Sequence, residues 1–437
     1  MRLASWQRLR LGRVIVVLVL TVVLLQLIHM ALLSRLEARE VSQRAGVGGG
    51  GGMAGPGVGR QLQGRSVKAV IEDMHERVKN AYRLDKSGTY HVLDNFLTSE
   101  HVVLQNAHDV TLVTQCSSHH LPHLVELSAR WKGPVSVAVF TNDEDFPAAV
   151  TSILHHHFCY DDVYKYVTFH LAFPISRLPR DLDGLARAVE SRSLCTASNA
   201  TLSFAQPSRQ RNYATEGLEY PHNLLRNLAI NYVQTRYVLV VDVDMLPSHD
   251  LRAGFQKLQD REEMENKTRS AAGRTAYVVP SFEIQDGAAL PPSKGALLQE
   301  WSAGAVRPFY QEVCGKCQRP TDYERWRDLG ESAGFRVGYT VEWTDPWEPF
   351  YIARASLPLY DERFKQYGFN RISQVCEMHV AGYEFSVLDN AFLLHKGFKT
   401  QDGFHETKDE EQNRNRLLFR KFKEELKTKY PESSRRC

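Results

Sequence analysis

Two carboxylates lie one residue apart, just after an apolar run in the middle of the chain. Residues 235–250 have the sequence TRYVLVVDVDMLPSHD, in which Asp242 and Asp244 come after the apolar residues 237–241. Residues i and i+2 of an extended chain project to the same side, so both carboxylates can address one point. Two carboxylates held together repel each other unless a cation lies between them. The spacing therefore predicts a divalent metal with oxygen ligands, which leaves open positions for the phosphate oxygens of a sugar nucleotide.

Two other interpretations of this D-x-D motif are open at the level of sequence. Two aspartates near a turn often cap the next helix or accept backbone hydrogen bonds, which is a purely structural role. A phosphatase of the haloacid dehalogenase type also has D-x-D after a strand, usually with Thr or Val two residues after the second Asp. That position is Leu246 here, between Met245 and Pro247. The apolar residues on both sides of the motif favour a metal site for a sugar nucleotide.

A segment downstream combines acids with aromatic side chains. Residues 341–355, VEWTDPWEPFYIARA, contain Glu342, Asp345 and Glu348 among tryptophan, phenylalanine and tyrosine. Aromatic ring faces stack on the C–H surfaces of sugars, while carboxylates accept hydroxyl hydrogen bonds or a proton. The segment is therefore a candidate sugar site. An aromatic core strand with solvated acids is the alternative interpretation.

The histidines offer one candidate for a third metal ligand. His395 follows the apolar residues AFLL, so we expect its imidazole at the end of a strand. Two aspartates and one histidine suit Mn²⁺ better than Mg²⁺, although a single histidine is also common as a structural residue. The successive residues His155, His156 and His157 cannot all face one site on a regular helix or strand, so we interpret them as a surface or loop segment.

Alternating strands and helices are expected to position these residues. The apolar spacing predicts an α/β fold with a mixed, mainly parallel sheet covered on both faces. Ligands of open α/β sheets bind beyond the carboxyl ends of the strands, where Asp242 and Asp244 would lie. Helical spacing occurs over residues 67–84, 120–133 and 224–233, and strand-like runs occur at 110–115, 134–143, 163–173 and 237–241. The C-terminal segment is predicted to be an amphipathic helix that buries Leu417, Leu418, Phe422 and Leu426.

The first 65 residues predict a membrane anchor. Residues 14–33 form an apolar run long enough to cross about 30 Å of hydrocarbon as a single transmembrane helix. Four arginines lie in residues 1–13, which are predicted to be a cytoplasmic tail by the positive-inside bias. The glycine-rich residues 34–65 predict a flexible stem, and residues 66–437 a lumenal globular domain. A cleaved signal peptide is the alternative, but its apolar core would be only about 7–15 residues long.

This layout is typical of Golgi-resident sugar-processing enzymes, so we predict a single-pass type II protein of the Golgi membrane. The sequons at Asn199 and Asn266 fit lumenal exposure and glycosylation. The net charge of +3 and the pI near 8.4 lack the concentrated basic surface of a nucleic-acid-binding protein. No nucleic-acid partner is expected.

The seven cysteines favour disulfides, which are the default in an oxidising lumen. Cys314 and Cys317 form a C-x-x-C pair, and no second C-x-x-C occurs to complete a zinc site. A local disulfide is therefore favoured over half of a zinc site or a redox motif. The odd number leaves at least one thiol over, and Cys437 is the candidate.

Several segments together resemble glycosyltransferase family 49. They are YPHNLLRNLA at 220–229, VDVDMLPS at 241–248, DPWEPFYIA at 345–353, YDERFKQYGFNRIS at 360–373 and LLHKGF at 393–398. The family includes transferases that add glucuronic acid to xylose on α-dystroglycan, and also the C-terminal domain of LARGE-type bifunctional enzymes. The resemblance implies a GT-A-type nucleotide-sugar transferase fold and Mn²⁺ dependence. It also implies an inverting, β-1,4 transfer from UDP-glucuronic acid to a β-xylose on the O-mannosyl glycan, which primes elongation by a LARGE-type partner.

The resemblance also implies roles for individual residues. Asp242 and Asp244 match the D-x-D motif of the family, and His395 matches its late metal-binding histidine. Arg226 and Asn227 match an L-R-N element that is expected to contact the donor.

Further donor contacts are expected later in the chain, at Asn370, Arg371 and Lys396. A basic residue such as Arg371 or Lys396 would recognise the carboxylate of glucuronic acid through a charge-assisted hydrogen bond. That interaction would distinguish glucuronate from neutral sugars.

The base that deprotonates the acceptor hydroxyl is not assigned by the motifs. Such a base must lie about 3 Å from the hydroxyl. Many inverting GT-A enzymes have Glu-Asp after a Y/W-G element, whereas here Asn370 and Arg371 follow Tyr-Gly-Phe at 367–369. The candidates are, in order, Glu348, Asp345 and Asp361.

Two other functions are kept as alternatives. One is an N-acetylglucosaminyltransferase acting on lactosamine chains, an activity once assigned within this family. The other is a catalytically silent lumenal scaffold that binds glycans or a partner transferase.

Overall fold

A computed structural model of the chain describes residues 67–80, 83–100, 108–179, 195, 213, 217–265, 273–401 and 406–437. All of these residues belong to the unit Leu62–Cys437. The predicted tail, anchor and stem lie outside the described residues, as do the sequons Asn199 and Asn266. Within the described ranges, no helix has both the length and the apolar character needed to cross a bilayer.

The described strands form two sheets, one of ten strands and one of four. Up to the D-x-D motif the strands are β1 Arg83–Leu84, β2 Tyr90–Leu97, β3 Val110–Ser117, β4 Val135–Phe140, β5 Val167–Pro174 and β6 Tyr237–Val240. After the motif they are β7 Met245–Pro247, β8 Thr275–Val279, β9 Ser281–Ile284, β10 Val306–Pro308, β11 Val337–Val341, β12 Phe350–Arg354, β13 Glu384–Leu388 and β14 Leu393–Lys396. The strand orders are β1-β2-β5-β4-β3-β6-β12-β8-β13-β11 and β10-β9-β14-β7.

The described α-helices connect and cover these strands. In the first half of the chain they are α1 Val67–Asn80, α2 His123–Trp131, α3 Phe146–Cys159, α4 Asp161–Tyr166, α5 His222–Ile230 and α6 Leu251–Met264. In the second half they are α7 Lys294–Ser302, α8 Gln311–Gln318, α9 Tyr323–Asp328, α10 Asn370–Val380 and α11 Lys408–Lys429.

The centre of the ten-stranded sheet is parallel, as the alternation of strands and helices predicted. Strands β5, β4, β3 and β6 pair in parallel in that order. Helices connect these strands in chain order: α2 joins β3 to β4, α3 and α4 join β4 to β5, and α5 precedes β6. Each connection returns the chain to the same end of the sheet. Every residue of β3, β4 and β6 is buried, as expected for strands covered on both faces. β6 therefore brings the D-x-D motif out at the carboxyl edge of the sheet.

The prediction of a mixed sheet is confirmed, but the prediction that it is mainly parallel is wrong. Strand β12 lies antiparallel between β6 and β8, and antiparallel pairs also form both edges of the ten-stranded sheet. Of its nine pairings, four are parallel. The sequence pattern of β12 indicates a buried strand but carries no information about its direction. The GT-A assignment itself stays a prediction from the family resemblance.

Two local predictions are corrected. Residues 163–166 were expected to begin a strand, but they belong to the helix α4, whose first turn carries two aspartates that favour a helix start. In α11, Leu417 was expected to be buried, yet it is 65% exposed. The buried side of α11 is centred on Phe419, Phe422 and Leu426, so Leu417 lies on the opposite side and Leu418 is half-buried.

The three successive histidines do not form a surface or loop segment. His155, His156 and His157 are all buried near the end of α3. His156 stacks on Tyr160 with ring centroids 5.6 Å apart, and its Nδ1 lies 2.7 Å from the Ser152 carbonyl oxygen. Aromatic neighbours thus surround rings that the sequence pattern suggested were solvated, and an intrahelical hydrogen bond adds a polar partner for His156.

Three disulfides lie in the described residues: Cys159–Cys195, Cys314–Cys317 and Cys376–Cys437. The local pairing of the C-x-x-C motif is confirmed. The prediction that Cys437 is the free thiol is wrong, since Cys437 is bonded to α10. The free cysteine is Cys116, which is buried at the end of β3.

A buried ion pair predicts a large effect on stability. Lys294 and Asp389 have side chains that are 0% exposed, and Lys294 Nζ donates to Asp389 Oδ1 and to the Trp326 carbonyl oxygen at 2.7 Å. We expect Lys294→Met to lower the free energy of unfolding by about 3 kcal/mol, because it leaves a buried carboxylate without its main partner. Urea unfolding followed by circular dichroism measures this change.

Arg336 supplies a matched control for that experiment. Its guanidinium also donates to Asp389, but its side chain is 54% exposed. Arg336→Met should therefore lower the free energy of unfolding by no more than about 1 kcal/mol. If both variants lowered the free energy of unfolding by the same amount, the buried Lys294–Asp389 pair would not contribute more to stability than the exposed Arg336–Asp389 pair, which contradicts the prediction.

Candidate active site

A cavity of about 1480 Å³ opens at the carboxyl end of β6. Its walls come from segments that are far apart in sequence, namely the D-x-D motif, the start of α8, the loop before β12, the start of α10, the segment after β14, and α11. Cations outnumber anions along the walls. The cations are Arg226, Lys316, Arg371, Lys399, Lys408, Arg416, Arg420 and Lys423, and the anions are Asp242, Asp244, Asp345, Glu348 and Asp409. The cavity is thus suited to a negatively charged ligand.

Asp242 lies between two arginines. Arg226 Nη2 donates to Asp242 Oδ1 at 3.2 Å, and Arg371 Nη1 lies 3.5 Å from Oδ2. Burial by itself would raise the pKa of Asp242, but the charges of Arg371 and Arg226 outweigh it and hold that pKa below its ordinary value. Asp242 is therefore ionised at neutral pH.

Asp244 is paired with a different set of groups. His395 Nε2 lies 3.1 Å from Asp244 Oδ2, and Lys399 Nζ donates to the same oxygen at 3.4 Å. Burial would raise the pKa of Asp244, but hydrogen bonds from His395 and Lys399 hold it well below its ordinary value. The pairing of β14 with β7 brings His395 beside Met245, next to the motif. The strand-end position predicted for His395 is therefore confirmed.

Asp244 and His395 fit a metal site. The Nδ1 of His395 lies 2.8 Å from the Gly397 carbonyl oxygen and donates to it, so Nε2 is the ring nitrogen that faces Asp244 and that would ligate a metal in place of its hydrogen bond to that carboxylate. Adjacent ligand atoms around an octahedral ion with bonds of about 2.1 Å are about 3 Å apart, which matches the Asp244–His395 separation. No group of three or more His, Cys, Asp or Glu in the described ranges is arranged to hold a metal. Asp242, the other predicted ligand, faces the arginines instead.

Arg226 lines the cavity, whereas its neighbour Asn227 does not. Arg226 Nη1 donates to Asn223 Oδ1 at 3.0 Å and to Asn370 Oδ1 at 3.1 Å. Asn227 is turned about 100° around the α5 axis, where its amide bonds the backbone N–H and C=O of Tyr360. Asn227 therefore holds the segment before α10 in place. It does not line the cavity, where it was predicted to contact the donor.

Arg371 is buried against the floor of the cavity. Its guanidinium lies over the Phe350 ring at 4.3 Å, and its Nε is 3.6 Å from Glu348 Oε2. Its Nη1 makes no hydrogen bond within the described part of the chain. Glu348 and Asp242 raise the pKa of Arg371 beyond what burial takes away, so the guanidinium stays charged.

A tight turn delivers Asn370 and Arg371 to the cavity. Three residues of this turn, Gln366, Gly368 and Phe369, have φ values of 58°, 90° and 61°. Asn415 on α11 donates to the carbonyl oxygens of Lys365, Tyr367 and Gly368 at 2.8 to 3.0 Å. A Cβ on Gly368 would lie 3.2 Å from Gln412 Cγ, so α11 also approaches this turn closely. The C-terminal helix thus fixes the entry to α10.

Of the candidate bases, Glu348 and Asp345 line the cavity. The backbone N–H of Glu348 donates to the Cys317 carbonyl oxygen at 3.0 Å, and Gln318 Nε2 donates to the Glu348 carbonyl oxygen at 3.2 Å. Burial raises the pKa of Glu348 above its ordinary value, although the Arg371 charge opposes this effect. A fixed carboxylate with increased proton affinity matches the requirements of a general base.

Three other predicted site residues, Asp361, Lys396 and His395, do not line the cavity, and His395 approaches it only through its contact with Asp244. Asp361 is paired with Arg363, which donates to it at 3.0 Å. Lys396 donates to Glu126 on α2 at 2.8 Å. Successive side chains on a strand point to opposite faces, so Lys396 points away from the side on which His395 meets Asp244.

Sequence reasoning missed Lys399 and Tyr310, which both line the cavity. Lys399 follows His395 by four residues. A lysine just beyond the end of the strand that carries His395 could have been predicted to lie near the same site. Tyr310 lies at the start of α8 with φ 59°, and its ring stacks on Phe309 at 4.2 Å. No periodicity in its surroundings marked it.

Comparisons with known proteins identify the family to which the chain belongs. A family model described as a glycosyl-transferase for dystroglycan matches residues 109–431. A Danio rerio protein named Beta-1,4-glucuronyltransferase 1 is 40% identical over 443 residues, which cover 97% of this chain and 98% of the relative. The Homo sapiens protein of that name is 42% identical over 382 residues, covering 85% of this chain and 87% of the relative. The Gallus gallus protein named Xylosyl- and glucuronyltransferase LARGE2s is 29% identical and covers 69% of this chain and 33% of the relative.

Similarity to solved structures is low. GalNAc-T7 with UDP, GalNAc and Mn²⁺ has a TM-score of 0.35 at 9% identity, covering 76% of this chain and 52% of that chain. S. aureus TarS 1-349 in complex with UDP-GlcNAc has a TM-score of 0.31 at 9% identity, covering 75% and 68%. The family assignment therefore depends on sequence. Since the family model covers most of the chain and two curated relatives match it over 85% or more of its length, the chain belongs to the family of glycosyltransferases for dystroglycan.

Proposed function

We propose that this chain is an inverting glucuronyltransferase. It moves glucuronic acid from UDP-glucuronic acid to a β-xylose on the O-mannosyl glycan of α-dystroglycan and forms a β-1,4 link. The observation that carries the proposal is the buried, charged Arg371, whose Nη1 makes no hydrogen bond within the described chain, in a cavity that is also lined by Asp244, the hydrogen-bond partner of His395. The names of the relatives support transfer of a glucuronyl group, and the description of the family supports dystroglycan as the acceptor.

Arg371 recognises the carboxylate of the donor sugar in this proposal. Arg371 Nη1 lies 3.5 Å from Asp242 Oδ2 but forms no hydrogen bond with it. A buried guanidinium N–H without a hydrogen bond is costly unless a ligand satisfies it, and a carboxylate does so with a charge-assisted bond. A neutral sugar offers only hydroxyls at this position. The charge on Arg371 therefore selects glucuronate over glucose or N-acetylglucosamine.

Asp244 and His395 are proposed to hold Mn²⁺. The metal supplies Lewis-acid stabilisation of the negative charge that develops on the departing diphosphate. Lys399 can donate to a diphosphate oxygen from its position 3.4 Å from Asp244. Arg226, held by Asn223 and Asn370, places a second cation on the same wall.

Glu348 is proposed to accept the proton of the acceptor hydroxyl. The acceptor oxygen forms a bond to C1 of glucuronate, the bond from C1 to the diphosphate oxygen breaks, and the proton moves to Glu348. Attack from the side opposite the diphosphate converts the α-linked donor into a β-linked product. The raised pKa of Glu348 favours this proton transfer.

The cellular setting is part of the proposal. The apolar residues 14–33 favour a type II protein anchored in the Golgi membrane, with the transferase domain and its sequons in the lumen. The product would then be elongated by a LARGE-type transferase in the same compartment.

The test is a donor panel. Purified full-length chain is given UDP-glucuronic acid, UDP-N-acetylglucosamine, UDP-xylose or UDP-glucose with a β-xyloside acceptor and MnCl₂, and product is measured by mass spectrometry. We expect transfer from UDP-glucuronic acid to exceed that from the other donors by at least about tenfold, which corresponds to one charge-assisted bond of about 1.5 kcal/mol or more. EDTA should abolish the transfer.

Other outcomes would replace the proposal. Preference for UDP-N-acetylglucosamine with a lactosamine acceptor would favour the alternative transferase activity. Mn²⁺-dependent UDP binding without transfer from any donor would favour the silent scaffold. Undiminished transfer in EDTA would remove the metal from the mechanism.

A further inference from the structure

Glu283 is a fully buried carboxylate that lies next to the cavity without lining it. It is located on β9, is 0% exposed, and is the direct partner of His395 in the pairing of β9 with β14. Neither the D-x-D motif nor the base candidates involve it. A buried carboxylate is retained only where its charge is compensated by hydrogen bonds and a cation.

Three separate segments donate to this one carboxylate. Arg307 Nε on β10 donates to Glu283 Oε2 at 2.8 Å, and the backbone N–H of Lys399 donates to the same oxygen at 3.2 Å. The backbone N–H of Tyr310 donates to Oε1 at 2.9 Å. Arg307 also donates through Nη2 to the Lys399 carbonyl oxygen at 2.8 Å. Glu283 therefore binds the backbone N–H of Lys399, and Arg307 binds its backbone C=O.

Two of these donors belong to residues of the cavity wall. Lys399 reaches Asp244 with its ammonium group, and Tyr310 has a positive φ and stacks on Phe309, whose ring is 6.1 Å from that of His395. Neither segment is a regular strand at this point, so its backbone position depends on such side-chain contacts.

We propose that Glu283 is a positioning residue for the nucleotide side of the cavity. Its carboxylate fixes the backbones of Lys399 and Tyr310 relative to His395, so that the Lys399 ammonium and the Asp244–His395 pair face the same diphosphate. This inference rests on the proposed use of UDP-linked donors. Glu283 would act through Lys399 and Tyr310 and would not touch the ligand itself.

The test is UDP binding to the full-length chain by isothermal titration calorimetry in MnCl₂, together with KM values for donor and acceptor. Glu283→Gln keeps the size of the side chain and removes its charge. We expect the Kd for UDP and the KM for UDP-glucuronic acid to rise about tenfold, as for other residues that orient the groups around a metal. The KM for the β-xyloside should stay unchanged.

Glu312 provides the matched control. It is the other carboxylate that pairs with Arg307, at 3.2 Å, and its side chain is 46% exposed. Glu312→Gln should leave the Kd for UDP within about twofold of the original value. A Glu283→Gln protein that binds UDP as tightly as the original chain would overturn the inference, and so would equal rises in the KM of donor and acceptor.

A second variant keeps the inference testable if Glu283→Gln does not fold. Arg307→Gln removes the bond to the Lys399 carbonyl oxygen and the ion pair with Glu283 but leaves the bonds from the Lys399 and Tyr310 backbones to Glu283, so the Kd for UDP should rise about threefold. An unchanged Kd in a folded Arg307→Gln protein would overturn the inference. Because UDP lacks the transferred sugar, the Kd values for UDP are independent of the donor panel, which tests the proposed function separately.

Discussion

Asp244→Asn is expected to lower transfer from UDP-glucuronic acid by at least about a hundredfold, the size of effect seen when one electrostatic stabiliser of a transition state is removed. Asparagine keeps the shape of the side chain but loses the charge that pairs with His395 and Lys399. The neutral amide also binds a hard divalent cation more weakly than a carboxylate does. Both changes reduce stabilisation of the leaving diphosphate.

The same variant should fold normally. Asp244 is partly exposed at the cavity surface, so His395 and Lys399 can take water as a partner after the substitution. The measurements are initial rates with saturating Mn²⁺, Mn²⁺ affinity by calorimetry, and melting temperature by circular dichroism. Lys396→Met is the control, because Lys396 pairs with Glu126 away from the cavity, and it should retain full activity. A folded Asp244→Asn protein with normal rates would exclude Asp244 from metal binding.

Glu348→Gln is expected to lower kcat by about a hundredfold to ten-thousandfold, the usual contribution of a general base. Glutamine can occupy the same space and accept from Arg371, but it cannot take a proton from the acceptor hydroxyl. Donor KM should change little, because the backbone of Glu348 stays tied to Cys317 and Gln318.

The pH profile gives a second test of Glu348. A base must be ionised, so activity should rise with pH through its pKa, which burial raises above the ordinary value for glutamate. The acidic limb of the profile should therefore disappear from the residual activity of Glu348→Gln. Asp345→Asn and Asp361→Asn are the matched variants. If Asp345→Asn loses the acidic limb and Glu348→Gln keeps it, then Asp345 is the base.

The sequence predicted the D-x-D strand and its place at the sheet edge because local rules determine both. An apolar run of five residues preceded by a helical stripe is sufficient to indicate a buried parallel strand. The position of His395 at the end of β14 followed from the same kind of pattern. These features depend on neighbours in sequence.

Features that depend on distant pairing could not be predicted. The antiparallel insertion of β12 between β6 and β8 depends on where the chain re-enters the sheet, which no local period encodes. Lys396 was predicted to contact the donor, but the alternation of side chains along β14 points it away from the face on which His395 meets Asp244, and it pairs with Glu126. The pairing of Asp242 with Arg226 and Arg371 depends on the relative positions of β6, α5 and α10, so no single segment of the sequence predicts it.

The bond between Cys376 and Cys437 has a consequence for the timing of folding. Cys376 lies on α10, the helix that starts with Asn370 and Arg371, and its partner follows 61 residues later. Closing a loop of that size removes unfolded-state entropy worth about 4 kcal/mol in the chain-entropy model. A nascent chain cannot obtain this restraint until residue 437 has left the ribosome. The helix that presents Arg371 is therefore locked only after a segment 61 residues further along the chain has been synthesised, and the step requires an oxidant.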